Sequence, residues 1–161
     1  MAEKPIKRSK AFMPLSREHH FDLLLAWKLR KGLAYDVKPE RMAAYVGYLD
    51  EHLMRAHFAD EEQELFAHFP QDEKVQRALA EHRQVRDWVD RIVSGQRKDA
   101  DAFNALADLV EAHVRFEERE LFPYLENLFS PGEHMRIEKA IAEKHSGFQE
   151  VWADPFWAKL S

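Results

Sequence analysis

The chain has 161 residues, 33% of them charged and 45% hydrophobic, a balance that suits one globular domain with a sizeable core. A formal charge of −5 and a pI near 6.0 give no electrostatic reason to expect nucleic acid. The absence of cysteine excludes disulfides, thiolate metal sites, iron–sulfur clusters and Cys nucleophiles. The longest apolar run, Leu23 to Trp27, is far short of a membrane span, and the basic N-terminus lacks the apolar stretch of a secretory signal. A cytoplasmic protein with no membrane and no nucleic-acid partner is the expectation. Nine histidines are the compositional oddity.

Residues 1–14 read as a loose arm. Ser16 is placed to cap a first helix from about 17 to 31, stopping at Gly32. Pro39 suits the first turn of a second helix, which runs to about Phe69 before Pro70. A third spans about Asp72 to Ser94 and ends at Gly95; a fourth, capped by Asp99 or Asp101, runs to about Phe129. Ser130-Pro131 opens a short fifth, ending near Gly147, and the tail over 148–161 brings two Trp back toward the bundle. Few glycines and no sustained apolar–polar alternation argue against a sheet. Short connections make successive helices antiparallel neighbours. The fold class expected is all-α: an up-down-up-down four-helix bundle over 15–147 with an additional short C-terminal helix.

HFADEEQELF at 57–66 returns 56 residues later as HVRFEERELF at 113–122, with six of ten positions identical. On a helix, residues four apart lie about 40° apart around the axis and about 6 Å along it, so His57 projects beside Glu61 and His113 beside Glu117. His113 shares its face with Leu106, Leu109 and Val110, and His57 with Val46, Leu53 and Met54, so both faces point inward. An inward Glu is costly unless something neutralises it. A third match, His134 with Glu138, lacks the Glu-Leu-Phe continuation and is what chance supplies in a chain this rich in both residues.

Helix 1 carries Glu18-His19-His20 and helix 3 carries Glu81-His82-Arg83. His82 lies on the apolar stripe Val75, Ala78, Val85, Val89; matching the two Glu-His pairs favours His19, with His20 the alternative on the face of Leu24 and Trp27. Each hairpin thus offers one His from its first helix and a His-x-x-x-Glu from its second. Folded about a pseudo-twofold axis, they converge His19, His57, Glu61, His82, His113 and Glu117. Bundle cores are where carboxylate-bridged dimetal sites are built, with each Glu bridging and the His capping. Mixed N/O donors suit non-haem iron or manganese better than structural zinc. Leu65-Phe66 and Leu121-Phe122, with Phe58, Phe116 and Trp88, are candidates to pack beside such a site and keep it dry.

These elements resemble the hemerythrin-like (HHE cation-binding) domains over about residues 12–147. The carriers are the Glu-His of helix 1, HFADEEQELF, the Glu-His of helix 3 and HVRFEERELFPYLE. The resemblance implies two iron ions in an oxo- or hydroxo-bridged centre, with Mn or Zn as substitutes, binding oxygen, nitric oxide or iron itself. It also marks departures. Oxygen-carrying hemerythrins have a second His one turn after the helix 3 ligand, where this chain has Arg86. They use a carboxylate five residues beyond the helix 4 His, here Glu118, whereas Glu117 fits the bacterial pattern and the internal repeat. His68 and Tyr124, each seven residues past a bridging Glu, are candidates to complete the ligand set, with packing at the bundle end the alternative.

The functional expectation is a metal-binding protein that takes up or senses a small diatomic or iron, rather than an enzyme. A dimetal oxidase or peroxidase at the same centre and a metal-free interaction module are the alternatives. Partners expected are the diatomic ligand, with a homodimer or a separate signalling protein as further candidates.

Overall fold

A computed structural model describes residues 7–144 and 147–159. Four long helices and a short fifth account for most of it, with no strand among the described residues. Helix α1 is Met13–Ala34, α2 occupies 39–68, α3 is Glu73–Val93, α4 occupies 100–128 and α5 is Pro131–Lys144. No described helix is long and apolar enough to cross a membrane.

The inward faces follow from spacing. On α3 the buried positions are Val75, Ala78, His82, Val85, Val89 and Ile92, steps of three and four that keep one stripe on the core. Asp72 caps this helix, its carboxylate accepting the amides of Lys74 and Val75. In α2 the buried run Leu49, Leu53, His57, Glu61, Leu65 advances by fours. Four such steps would carry the face about 160° around a regular helix. Two wider π turns, Asp50–Met54 and Glu61–Leu65, absorb the drift: the amides of Arg55 and Phe66 donate to the carbonyls of Asp50 and Glu61, five residues back. In α4 the run His113, Glu117, Leu121, Leu125 has a π turn at Glu117–Leu121, with the Phe122 amide donating to the Glu117 carbonyl. A π turn therefore opens at the Glu of each repeat.

Two apolar clusters flank the middle of the bundle. One holds Leu25, Phe58, Val85, Phe103 and Val110; the other holds Phe12, Leu65, Val75, Phe116 and Phe122. The polar layer between them carries His19, His57, Glu61, His82, His113 and Glu117, each at most 2% exposed.

Both ends of the first helix differ from the sequence expectation. It begins at Met13, with Pro14 in the first turn, and Ser16 does not cap it; the Ser16 hydroxyl instead donates to Glu118 at 2.7 Å. Gly32 does not stop it either. A Cβ there would stand 2.5 Å from the Met42 sulfur and 3.1 Å from the Phe156 ring, so glycine is needed for close packing inside the helix. The turn comes at Asp36, the residue with φ of 53°. The arm expected to be loose is docked over its described part: Ala11 and Phe12 are buried, and Arg8 pairs with Glu126 and donates to the Glu118 carbonyl at 2.7 Å. Residues 1–6 lie outside the described part. At the other end, Phe156 enters the core, and the buried Lys28 ammonium donates to Tyr45 at 2.9 Å and to Glu150 at 2.8 Å beneath the Trp157 ring.

Candidate metal centre

The repeat and the two Glu-His pairs meet in one place. Donor atoms of His19, His57, Glu61 and Glu117 all lie within 4.8 Å of one another, as do those of Glu61, His82, His113 and Glu117. Both glutamates belong to both groups. The Nε2 atoms of His19 and His57 stand 3.2 Å apart. Two nitrogens roughly 2.1 Å from a shared ion and at right angles would be about 3 Å apart, so the spacing suits common ligation. Across the pseudo-twofold axis, His82 Nε2 is 3.2 Å from Glu61 Oε1, and His113 Nε2 is 3.3 Å from Glu117 Oε1.

Apart from His19 Nε2 and Glu117 Oε1, which are hydrogen-bonded at 2.9 Å, most of these atoms are close without satisfying one another. Both carboxylate oxygens of Glu61, Oε2 of Glu117 and the Nε2 atoms of His82 and His113 are buried with no hydrogen-bond partner among the described residues. Leaving several polar atoms unpaired in a bundle core costs about 1–3 kcal/mol each. Lone pairs converging on shared points are the arrangement a cation satisfies. The fit to a metal therefore rests on orphaned donors as well as on residue type.

The opposite ring nitrogens face outward to a second set of glutamates. Nδ1 of His57 meets Glu18 at 2.8 Å, that of His82 meets Glu62 at 2.7 Å, and that of His113 meets Glu81 at 2.8 Å. His19 Nδ1 has Glu118 at 3.5 Å, an ion-pair distance. A carboxylate on Nδ1 makes that nitrogen the N–H and turns the Nε2 lone pair inward, which orients a ligating imidazole and raises its basicity. Glu62 is in turn held by Arg86, Glu81 by Arg77, and Glu118 by Ser16. The sequence reading gave none of the four this role, and weighed Glu118 as a ligand instead. Their signal was present, since they are the other members of the repeated Glu-His and Glu-Glu pairs.

Burial disfavours charge on the four imidazoles, yet the surrounding carboxylates outweigh it. His19, bonded to Glu117 and facing Glu118, is pushed up to about 9, and His113, facing Glu117, to about 10. His57 and His82 are raised in the same way by Glu61 with Glu18 and Glu62. Burial pulls Glu117 upward, but His113 and His19 hold it well below the usual carboxylate range. Without metal, protons take the role of the cations.

The alternatives fall outside this layer. His20 is exposed while His19 is 2% exposed. Glu118 serves the outer face of His19 and belongs to neither donor group. His68 is exposed and edge-on to Phe129, and the Tyr124 hydroxyl donates to Asp72. His134 contacts the Glu126 carbonyl at 2.8 Å. Arg86 does not stand where a ligand would: the buried residue after His82 is Val85, and the guanidinium runs out over Phe58 to Glu62. Of the aromatic candidates, Phe58 stacks on His82 at 3.9 Å, Phe66 lies 5.6 Å from it and Phe122 stacks on His19 at 5.5 Å. Phe116 and Trp88 pack in the flanking clusters instead.

A four-helix bundle with a buried layer of two glutamates and four histidines defines a class: helical proteins that hold cations between their helices. The Hemerythrin HHE cation binding domain model matches residues 15–125, and the chain belongs to that family. Comparison with curated proteins and with solved structures found no significant match.

Proposed function

We propose that the chain holds two iron ions, one through His19, His57, Glu61 and Glu117 and the other through His82, His113 and the same two glutamates. The observation that carries this reading is the pair of four-donor groups sharing both carboxylates. Two imidazoles and two bridging oxygens per ion suit iron or manganese, which prefer more donors than structural zinc. Iron bound there would supply coordination positions that the protein's own donors do not fill, and so the means to take a small ligand such as oxygen or nitric oxide.

The chain's own residues then do three things. Glu18, Glu62 and Glu81 fix the imidazole rings of His57, His82 and His113 and their tautomers, and Glu118 faces His19 at ion-pair distance. Phe58, Phe66 and Phe122 keep the layer apolar on its flanks. Burial of every donor favours a diatomic over an organic substrate, which supports a binding or sensing role over catalysis.

Metal analysis of protein from iron-supplemented cells tests the proposal. About two ions per chain are expected, with both lost in a double His57→Ala, His113→Ala variant that still folds. Wild type without bound transition metal would refute it. Stopped-flow mixing of the reduced protein with oxygen and with peroxide separates binding from catalysis: a reversible spectral change is expected, and repeated turnover would favour the oxidase or peroxidase reading.

A further inference from the structure

The outward face of a bundle helix is expected to be polar, because water rather than a neighbouring helix covers it. The outward face of α1 departs from that rule. Leu23 and Trp27 are 39% and 46% exposed, and Tyr35, just past the helix end, is 39% exposed. Positions 23, 27, 31 and 35 advance by fours, and the Tyr35 amide donates to the Lys31 carbonyl at 3.0 Å, which carries the helical spacing past Ala34. The Lys31 ammonium completes the line, 5.6 Å from the centre of the Trp27 ring and 6.0 Å from that of Tyr35. From Leu23 to Tyr35 the stripe is about 18 Å long.

Its charge is of one sign. Helix α1 contains two acids, and neither is on this face: Glu18 meets His57 at 2.8 Å and Asp22 is buried. Arg17 and His20 are exposed on the turns before Leu23. Beside the stripe, Arg30 is taken by Asp108 and Glu111, each at 2.7 Å. Arg17 instead contacts the Met13 sulfur at 3.2 Å, and neither it nor Lys31 pairs with a carboxylate among the described residues. At its far end the stripe meets a depression of about 540 Å³ walled by Tyr35, Val37 and Pro155, where Lys38 and Lys159 are exposed and Asp36 is the one acid among the described lining residues. This is a local reversal of sign on a chain of net charge −5.

The pattern selects among occupants. Two copies joined by this stripe would set Arg17 against Lys31 if antiparallel, or each against itself if parallel, and both appose like charges. A helix lying in a membrane surface buries a wide apolar face, but the wide apolar face of α1 is already spent on the core. A row of side chains four apart is the ridge that packs into the groove of another helix. We propose that this stripe docks an acidic amphipathic helix of another protein, with Leu23 and Trp27 entering its apolar seam and Arg17 and Lys31 pairing with its flanking carboxylates. A contact of this length belongs to the small, transient class of interfaces. Docking there does not depend on the metal centre.

The probe is a synthetic helical peptide of about 18 residues, enough to cover the stripe, with Leu at alternate third and fourth positions and Glu on both flanks. A second peptide carries Lys in place of every Glu. Each is dye-labelled and followed by fluorescence anisotropy as the protein is added. The Glu peptide is expected to bind about tenfold or more tightly than the Lys peptide. Trp27→Glu should weaken it about tenfold or more, as loss of a central aromatic anchor does. The double variant Arg17→Glu, Lys31→Glu should reverse the preference, so that the Lys peptide binds better. Val93→Glu, on α3 and likewise replacing an exposed apolar residue, should stay within about twofold.

No binding of the Glu peptide up to about 1 mM protein, equal affinity for the two peptides, or affinity that survives Trp27→Glu would overturn the proposal. Binding to vesicles of phosphatidylserine in phosphatidylcholine that Trp27→Glu abolishes, without any response to the peptides, would assign the stripe to a membrane surface and overturn it. A dimer in sedimentation that Trp27→Glu dissolves would assign it to a second copy, with the same consequence. Were Trp27→Glu to unfold, the reversal of preference in the double variant would decide alone.

Discussion

In the proposed centre the side chains divide between inner donors and the outer carboxylates that would aim them. Glu62 illustrates the division: its Oε2 takes both His82 Nδ1 and Arg86, each at 2.7 Å. Replacing Glu62 with Gln should lower metal affinity about 10-fold or more, as loss of outer partners does in other sites, without removing a ligand. Competition with a chelator would measure it, and an unchanged affinity would remove Glu62 from the account. Arg86→His, by contrast, should leave iron content and the visible spectrum unchanged, because Arg86 is 40% exposed and directed at Glu62 rather than at an ion. A new spectral band in that variant would show the outer face of α3 reaching the centre.

At the scale of elements, the repeat and its spacing made the bundle and its inward residues legible before any coordinates. His57 with Glu61 and His113 with Glu117 follow from i, i+4 geometry, and the inward face of α3 from its apolar stripe. What was not legible has physical reasons. The π turns at Glu61–Leu65 and Glu117–Leu121 sit where the buried spacing lengthens to successive fours, a cue that a search for regular helices averages away. Gly32 was read as a stop because glycine ends many helices, but here it gives room to Met42 and Phe156, which are distant in sequence. Gly32→Ala should therefore destabilise the protein by about 1–3 kcal/mol by overpacking, despite alanine's better helix propensity. Denaturant melts would show it, and a gain in stability would mean that α1, Met42 and the Phe156 segment part easily. The docked N-terminal arm was hidden for a similar reason: Arg8 finds its carboxylate on Glu126, 118 residues away.

For the whole molecule, the polar layer couples stability to pH. The raised imidazole pKa values mean that the metal-free protein gains stability from protonated histidines; that gain is fully present below the ordinary 6.5 and lost as pH rises through about 9 for His19 and about 10 for His113. Glu117 acts at the other end, since its lowered pKa contributes stability that is lost as pH falls below the ordinary carboxylate range. The melting temperature of chelated protein should thus fall between pH 6.5 and 10. Metal affinity should rise over the same span, because ions displace those protons. A melting temperature constant across the window would mean the histidines are neutral without metal.

The central claim is that six side chains, two of them shared, hold two ions. Anomalous diffraction at the iron edge from crystals of the iron-loaded protein tests it most directly. Two peaks are expected in the layer between the apolar clusters, each about 2.0–2.2 Å from its Nε2 and carboxylate donors, one beside His19 and His57 and the other beside His82 and His113. A single peak, or iron held by His68, His134 or other surface residues with this layer empty, would contradict it.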